Sequence, residues 1–386
     1  MAGKRAYLDY NASAPLWESA RAAVVEALDV VGNPSSVHAE GRAARRVVEE
    51  ARREVAALVA ATAANVFFTS GATEAASTLL TPDWRVGRGV VRASRLYVSA
   101  ADHPCVLGGG RFAPADVEII PVDGDGVVDL DALSARLALH DKVSGIPLVA
   151  MHAANNETGV VQPVSAIAAA AKAAGGISVI DAVQAVGRIP LEMTETCADF
   201  FILSSHKIGG PKGVGAVVGA SDLMMPALLV RGGGQERGHR AGTENVPGIA
   251  GFGAAGRAAR EGLARIGEIA AMRDRFEAML LRHEPAVEIF GRAAPRLPNT
   301  TFFALPGVKA ETAQIAFDLA GVALSAGSAC SSGRVGPSHV LKAMGRGDTA
   351  GALRVSIGHA TTERDMELFE QALAGLLARR ERTKAA

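Results

Sequence analysis

The chain is 386 residues long, too much for one small core and suited to two domains. Lys and Arg balance Asp and Glu at 40 each, so the charge gives no reason to expect nucleic acid or a membrane surface as a partner. Hydrophobic residues at 49% and charged ones at 21% are ordinary for a globular protein, and no apolar run is long enough to span a bilayer. The opening MAGKRAYLDYN lacks the apolar stretch of a secretory signal. Cys105, Cys197 and Cys330 form no C-x-x-C pair, which argues against a zinc site or a disulfide framework and predicts a reducing, cytoplasmic setting.

From the amino terminus, helical periodicity runs through 19–31 and again through 40–60, with charges on one face and Val, Ala and Leu on the other. Short, solidly apolar runs follow at 65–70, 95–100, 117–122, 146–153, 177–181, 199–204 and 215–220. Helical stretches are expected between them at 71–80, 129–140 and 163–175. Continuous apolar strands separated by helices predict an α/β fold with a mostly parallel sheet covered on both faces. Past residue 260 the pattern changes to an amphipathic helix over 262–283 and shorter strands at 299–305 and 353–358, which reads as a smaller α+β domain. The expected division is 15–260 for the large domain, with 1–14 and 261–386 forming the small one.

Four stretches carry chemistry. In FFTSGATEAA (67–76) an apolar strand enters a helix through Ser70-Gly71-Ala72-Thr73, which aims backbone N–H groups and the helix dipole at one point and suits an anion; a plain N-cap is the simpler alternative. Asp181 ends the apolar strand ISVID, at the carboxyl edge of the sheet where ligands bind, and needs a cationic partner there unless it only caps a helix. Lys207, in LSSHKIGGPKG (203–213), lies one strand–helix–strand unit further on, flanked by Ser204 and His206. The glycines around it miss the Walker spacing, and taken alone the lysine could be an ordinary solvated side chain. An anion cradle, a carboxylate and an amine together match the needs of pyridoxal phosphate. Cys330 sits in the small-residue stretch LSAGSACSSGRVG, where a thiol is accessible enough to act as a nucleophile, whereas Cys197 reads as a small buried hydrophobe.

The chain resembles the cysteine desulfurases, class V aminotransferase relatives of the pyridoxal-phosphate fold type I, and in particular the subgroup with a long mobile cysteine loop. The resemblance rests on YLDYNASAP (7–15), GNPSSVHAEGRAAR (32–45), FTSGATEA (68–75), NNETGVVQP (155–163), DAVQAVG (181–187), SSHKIGGPKG (204–213), RGGGQERGHRAGTEN (231–245), SAGSACSSG (325–333) and LRVSIG (353–358). It implies that Lys207 holds the cofactor and shuttles the substrate Cα proton, Asp181 keeps the ring nitrogen charged, and Gln184 bonds the phenolic oxygen. His103 would stack on the ring and assist proton transfer. Ala72, Thr73, Ser204 and His206 would bind phosphate, with Thr243 supplied by the other subunit of a homodimer. Arg354, with Asn156, would receive the substrate carboxylate. Cys330, in a loop of about 325–337, would take sulfur from L-cysteine as a persulfide and pass it to an iron–sulfur scaffold or other acceptor protein. No metal is implied beyond transient iron–sulfur ligation by Cys330.

Two other enzyme activities, transamination and selenocysteine lysis, share the scaffold, and Cys330 discriminates because transamination needs no thiol. A vestigial sulfur carrier is disfavoured by the intact set of Lys207, Asp181, Thr73 and Arg354. This chain departs from the family in Ala76-Ser77 after the GATE motif, in Pro104-Cys105 after the stacking histidine, and in His359 where relatives carry arginine.

Overall fold

A computed structural model describes residues 5–327, 338–347, 349 and 352–385. Cys330 and most of its expected loop lie outside the described residues.

Seven strands build the main sheet: β1 (Val66–Thr69), β2 (Gly89–Ser99), β3 (Val117–Ile120), β4 (Ile146–His152), β5 (Ile177–Asp181), β6 (Phe200–Ser204) and β7 (Gly215–Gly219). Their spatial order is β3-β2-β4-β5-β6-β7-β1. Strands β2 to β6 are mutually parallel, and β7 alone runs against its neighbours β6 and β1. These are the seven apolar runs of the sequence, and they are apolar throughout because side chains on both faces are buried. Phe68, Val149, Met151, Ile180, Phe201 and Leu203 enter one core cluster, while their neighbours Phe67, Leu148, Ala150, Val179, Phe200 and Ile202 enter another. This is the two-residue alternation of a strand.

Helices α1 (Glu18–Leu28), α2 (Ala39–Ala57), α4 (Leu130–Ala138), α5 (Val164–Ala173) and α6 (Val246–Gly262) cover the first face, and α3 (Ala72–Leu79) the second. Helix α6 corrects the expectation of one helix over 262–283: α6 ends at Gly262, a single 3-10 turn Leu263–Arg265 follows, and a separate helix spans Ile266–His283. Its sequence, VPGIAGFGAAGRAAREG, hides a helix because glycine costs roughly 0.5–1 kcal/mol per helical position. Packing explains them. A Cβ on Gly251 would come within 2.6 Å of Val24 and Pro211, and one on Gly253 within 2.5 Å of Ala51, so the missing side chains let α6 approach α1 and α2. Strand β2 also begins earlier than expected, because Gly89–Arg92 folds back on Asp83–Val86 as a hairpin, itself paired with Met224–Pro226. Cys197 corrects another reading. It is exposed, in left-handed conformation (φ 55°) after the short helix Met193–Thr196.

The strands Glu288–Ile289, Thr300–Ala304, Leu353–Ser356 and Ser325–Ala326 form a second, antiparallel sheet. Helices Ile266–His283, Ala310–Leu319 and Glu363–Ala385 enclose its core, where Phe317 stacks on Phe369 at 5.1 Å and Phe276 meets the same ring edge-on. Ala6 and Leu8 belong to this core, and Ala6–Tyr7 pairs in parallel with Val322–Ala323. No helix among the described residues is long and apolar enough to cross a membrane.

One buried ion pair anchors the strand that leads into the Ser70–Thr73 turn. Glu236 receives both guanidinium nitrogens of Arg52 (2.6 and 3.1 Å) and the Phe68 N–H (2.8 Å), and Arg52 also donates to the Val66 carbonyl. Glu236 holds φ at 47°, a conformation a side chain-bearing residue adopts only when its surroundings repay it. Glu236→Ala, which leaves the buried Arg52 only the partly exposed Glu49 as a counter-charge, is expected to cost about 3 kcal/mol. Urea unfolding measures it, and a loss below about 1 kcal/mol would show that the pair does not anchor β1.

Candidate functional site

The parallel strands deliver their carboxyl ends to one edge of the sheet, and a cavity of about 560 Å³ opens there. Its walls bring together Ala72, Thr73, His103, Asn156, Asp181, Gln184, Ser204, His206 and Lys207, nine of the residues singled out in the sequence. Arg354 stands behind Asn156, whose carbonyl it bonds at 2.8 Å. Thr243 is exposed and does not line the cavity within one chain. Cys330 lies outside the described residues.

Lys207 closes the 3-10 turn Ser205–Lys207 that follows β6. Its Nζ donates to the carbonyls of Asn11 (2.7 Å) and Ala12 (2.9 Å), so the amine is held at a fixed point on the cavity floor. Asp181, buried at the end of β5, accepts the Val183 N–H at 3.0 Å. Burial pushes its carboxyl up to about 6, assisted by the like charge of Asp102 and opposed by His152 and Lys207.

His103 caps the short helix Pro104–Leu107, its Nδ1 accepting the Cys105 N–H at 3.2 Å. A ring that accepts at Nδ1 is neutral, and burial, with Lys207 and His339 nearby, lowers His103 to about 4. His206 is likewise pulled to about 4 by burial and by Lys207, Lys212 and Arg188. Cys105, which also lines the cavity, has its thiol pushed far above the usual range by burial and by Asp181 and Asp102.

At the far wall, α3 starts from Gly71, and no side chain caps it. The Ser70 N–H is taken by the Glu74 carboxylate (2.9 Å), which Arg240 pairs in turn, while Ala72, Thr73 and Gly71 face the cavity. A helix N-terminus with Ser204, His206 and Lys212 opposite is a donor set suited to an anion of phosphate type.

Several residues that organise the site carried no signal in the sequence. Asn11 is fully buried and bonds Asn156, Thr300, Asn299, Gln184 and Ser356. Arg188 reaches the carbonyls of Gln184, Tyr10 and Lys207 and is lowered to about 9 by burial and by Arg354. Arg354 pairs with Asp9 at 2.6 Å and donates to the Ser325 hydroxyl at 3.1 Å, while its Nε is buried with no partner among the described residues. Glu157, beside Asn156, is raised by burial to about 7 and accepts the Ser338 hydroxyl at 2.6 Å. The YLDYNASAP and NNETG motifs contained Asn11 and Glu157, yet nothing in their spacing announced buried hubs. His359, to which the sequence assigned no role, stacks on Trp17 at 3.6 Å and is lowered to about 4 by burial.

The Aminotransferase class-V family matches residues 6–369, and the chain belongs to it. It is 42% identical to a cysteine desulfurase of Frankia sp. (strain EuIK1), across 97% of this chain and 91% of that one. It is 40% identical to a cysteine desulfurase of Cereibacter sphaeroides, across 96% and 95%. A solved structure, the NifS-like protein from Rickettsia africae ESF-5, superposes with a TM-score of 0.86 at 31% identity, covering 97% of this chain and 99% of that one. The fold is pyridoxal-phosphate fold type I.

The lowered histidines give a direct expectation. The imidazoles of His103, His206 and His359 stay neutral down to about pH 5, and take up protons only near 4. Labelled-histidine NMR, assigned with single His→Asn variants, measures the midpoints. Values near the ordinary 6.5 would mean that the rings are not desolvated as described.

Proposed function

We propose that this chain is a pyridoxal-phosphate-dependent cysteine desulfurase, converting L-cysteine to L-alanine and leaving the sulfur as a persulfide on Cys330. The observation that carries the reading is the convergence of an amine, a buried carboxylate and an anion cradle on one cavity: Lys207, Asp181 and the Ser70–Thr73 turn. The residues present fit the cofactor. The cradle suits its phosphate, Arg354 Nε is a buried donor with no partner among the described residues behind Asn156, and Asp181 needs the cation that a pyridinium provides. The family relationship and the cysteine desulfurase relatives support the same reading.

When bound, pyridoxal phosphate supplies an aldehyde for the lysine amine and an electron-withdrawing ring for the substrate. Ala72, Thr73, Ser204 and His206 bind the phosphate, joined by Thr243 of a second copy in a homodimer. Asp181 would hold the proton of the ring nitrogen, Gln184 would bond the phenolic oxygen, and His103 would meet the ring as a neutral imidazole. Arg354 and Asn156 orient the carboxylate of L-cysteine, and Lys207 Nζ moves the Cα proton. The Cys330 thiolate attacks the substrate sulfur; an S–S bond forms as the C–S bond breaks, the carbon gains the proton, and alanine leaves. Thiol and cysteine thus become persulfide and alanine without an external oxidant. The persulfide supplies an iron–sulfur scaffold or another sulfur acceptor in the cytoplasm. Residues 15–260 form the cofactor-binding domain, and 1–14 with 261–386 form the domain that carries the cysteine.

The test is the intact mass of the holoenzyme after L-cysteine without reductant, followed by peptide mapping. Added sulfur on Cys330 is expected. An unchanged mass with the cofactor in its amine form would instead make the enzyme an aminotransferase. Cys330→Ala should keep the colour of the bound cofactor and form no persulfide, and Lys207→Ala should retain L-cysteine on the cofactor without releasing alanine. Continued sulfide release by the first variant, or normal turnover by the second, would remove that residue from its role.

A further inference from the structure

Behind Asp181 lies a pair of ionisable groups that the proposed chemistry does not use. Asp102, fully buried in the loop after β2, accepts the backbone N–H of Ser99 (2.7 Å) and of His152 (2.8 Å). The same carboxylate closes on His152 Nδ1, which therefore carries a proton. The other ring nitrogen, Nε2, is buried and has no partner among the described residues, and the imidazole faces the cavity. His152 ends β4 in register with Asp181 on β5, so both side chains stand on the same face of the sheet as neighbours across the ladder.

The charges around Asp181 make the placement informative. Asp102 is a like charge that pushes Asp181 towards its neutral form. The Cys105 thiol, from the helix Pro104–Leu107, stays neutral, as does the His103 ring. Lys207 also favours the Asp181 carboxylate from a distance, while its Nζ donates to the carbonyls of Asn11 and Ala12. His152 is the cationic candidate between the two carboxylates.

We propose that His152 is a positioning residue for Asp181: Asp102 holds the ring, the second nitrogen sets a proton and a positive charge beside Asp181, and Asp181 thereby stays a carboxylate towards the cofactor's ring nitrogen. Negative Asp102 behind the wall, positive His152 and negative Asp181 on it, and the positive ring then alternate in charge. The inference rests on the reading of the cavity as a pyridoxal-phosphate site.

The experiment titrates pyridoxal phosphate into apoprotein of the wild type, His152→Gln, Asp181→Asn and the double variant between pH 6 and 9. His152→Gln is expected to bind about fivefold more weakly at pH 6, the effect of raising Asp181 by one unit from about 6, with the difference fading by pH 9, where the carboxyl ionises without help. In the Asp181→Asn background the second substitution should cost nothing further. A loss of the same size at every pH, a loss that adds fully to that of Asp181→Asn, or no loss would overturn the proposal. In wild-type apoprotein at pH 7, ¹⁵N shifts should show both ring nitrogens of His152 protonated. A neutral ring there refutes the assignment whatever the ligand. Failure of the wild type to bind pyridoxal phosphate, with the imidazolium present, would instead refute the reading of the cavity.

Discussion

The backbone carbonyl of Asn11 receives both Lys207 Nζ and Gln184 Nε2, and much of the site depends on that one acceptor. Asn11 is itself pinned from every side. Its N–H bonds the Ser356 hydroxyl, its side-chain amide donates to the Asn156 carbonyl and to Thr300, and its side-chain oxygen accepts from Asn299. Ser356, Thr300 and Asn299 belong to the smaller sheet and its edge, whereas Lys207 and Gln184 belong to the larger one. The segment around Asn11 is therefore a bolt between the two sheets. Each buried polar group it satisfies would cost about 1–3 kcal/mol if left bare, so the bolt is strongly held. An amine that must meet a small target gains its accuracy from such an anchor.

The same region concentrates buried charge. Arg188, Arg354, Asp9, Asp181, Glu157 and Lys207 lie within a few residues of Asn11 or its partners, and burial penalises the charged forms of Arg188, Asp181 and Glu157. A chain built only for stability would replace such groups with apolar ones. Their retention is what a site for a charged ligand requires, because an incoming phosphate, pyridinium and substrate carboxylate supply the opposite charges that the interior lacks. Glu157 extends the cluster towards the cysteine: it bonds Ser338, and Gly327 lies against its carboxylate, so the two described residues flanking 328–337 meet at one acid beside Asn156.

How legible this was in the sequence depended on how many residues shared a signal. The seven main strands stood out because every residue of a doubly covered strand must be apolar, and the helices between them because their faces repeat. Lys207, Asp181 and the Ser70–Thr73 turn were visible because each ends such a run. Helix α6 was not, since close packing against α1 and α2 overrode glycine's low helix propensity. The hairpin at Asp83–Val86 was missed because it lacks a two-sided apolar pattern. Asn11, Arg188 and the Asp102–His152 pair were beyond reach for a different reason. A single polar residue in a mixed stretch reads like any surface residue, and only three-dimensional neighbours 50 or more positions away turn it into a buried hub.

The direction of β7 explains one further detail. Strands β1, β2, β4, β5 and β6 all point their carboxyl ends at the cavity, and they supply Ser70, His103, His152, Asp181, and Ser204, His206 and Lys207 at or just beyond the residues where they stop. Antiparallel β7 presents its amino end there instead, between β6 and β1, and its first residue is Gly215. A Cβ at that position would fall 2.6 Å from the backbone carbon of Gly71 and 2.8 Å from the Leu203 carbonyl. Any side chain would push the Gly71 turn away from the strand and spoil the cradle at the start of α3. The reversed strand between β6 and β1 thus demands a glycine at its first position, and the anion-binding turn depends as much on that missing side chain across the sheet as on its own small residues.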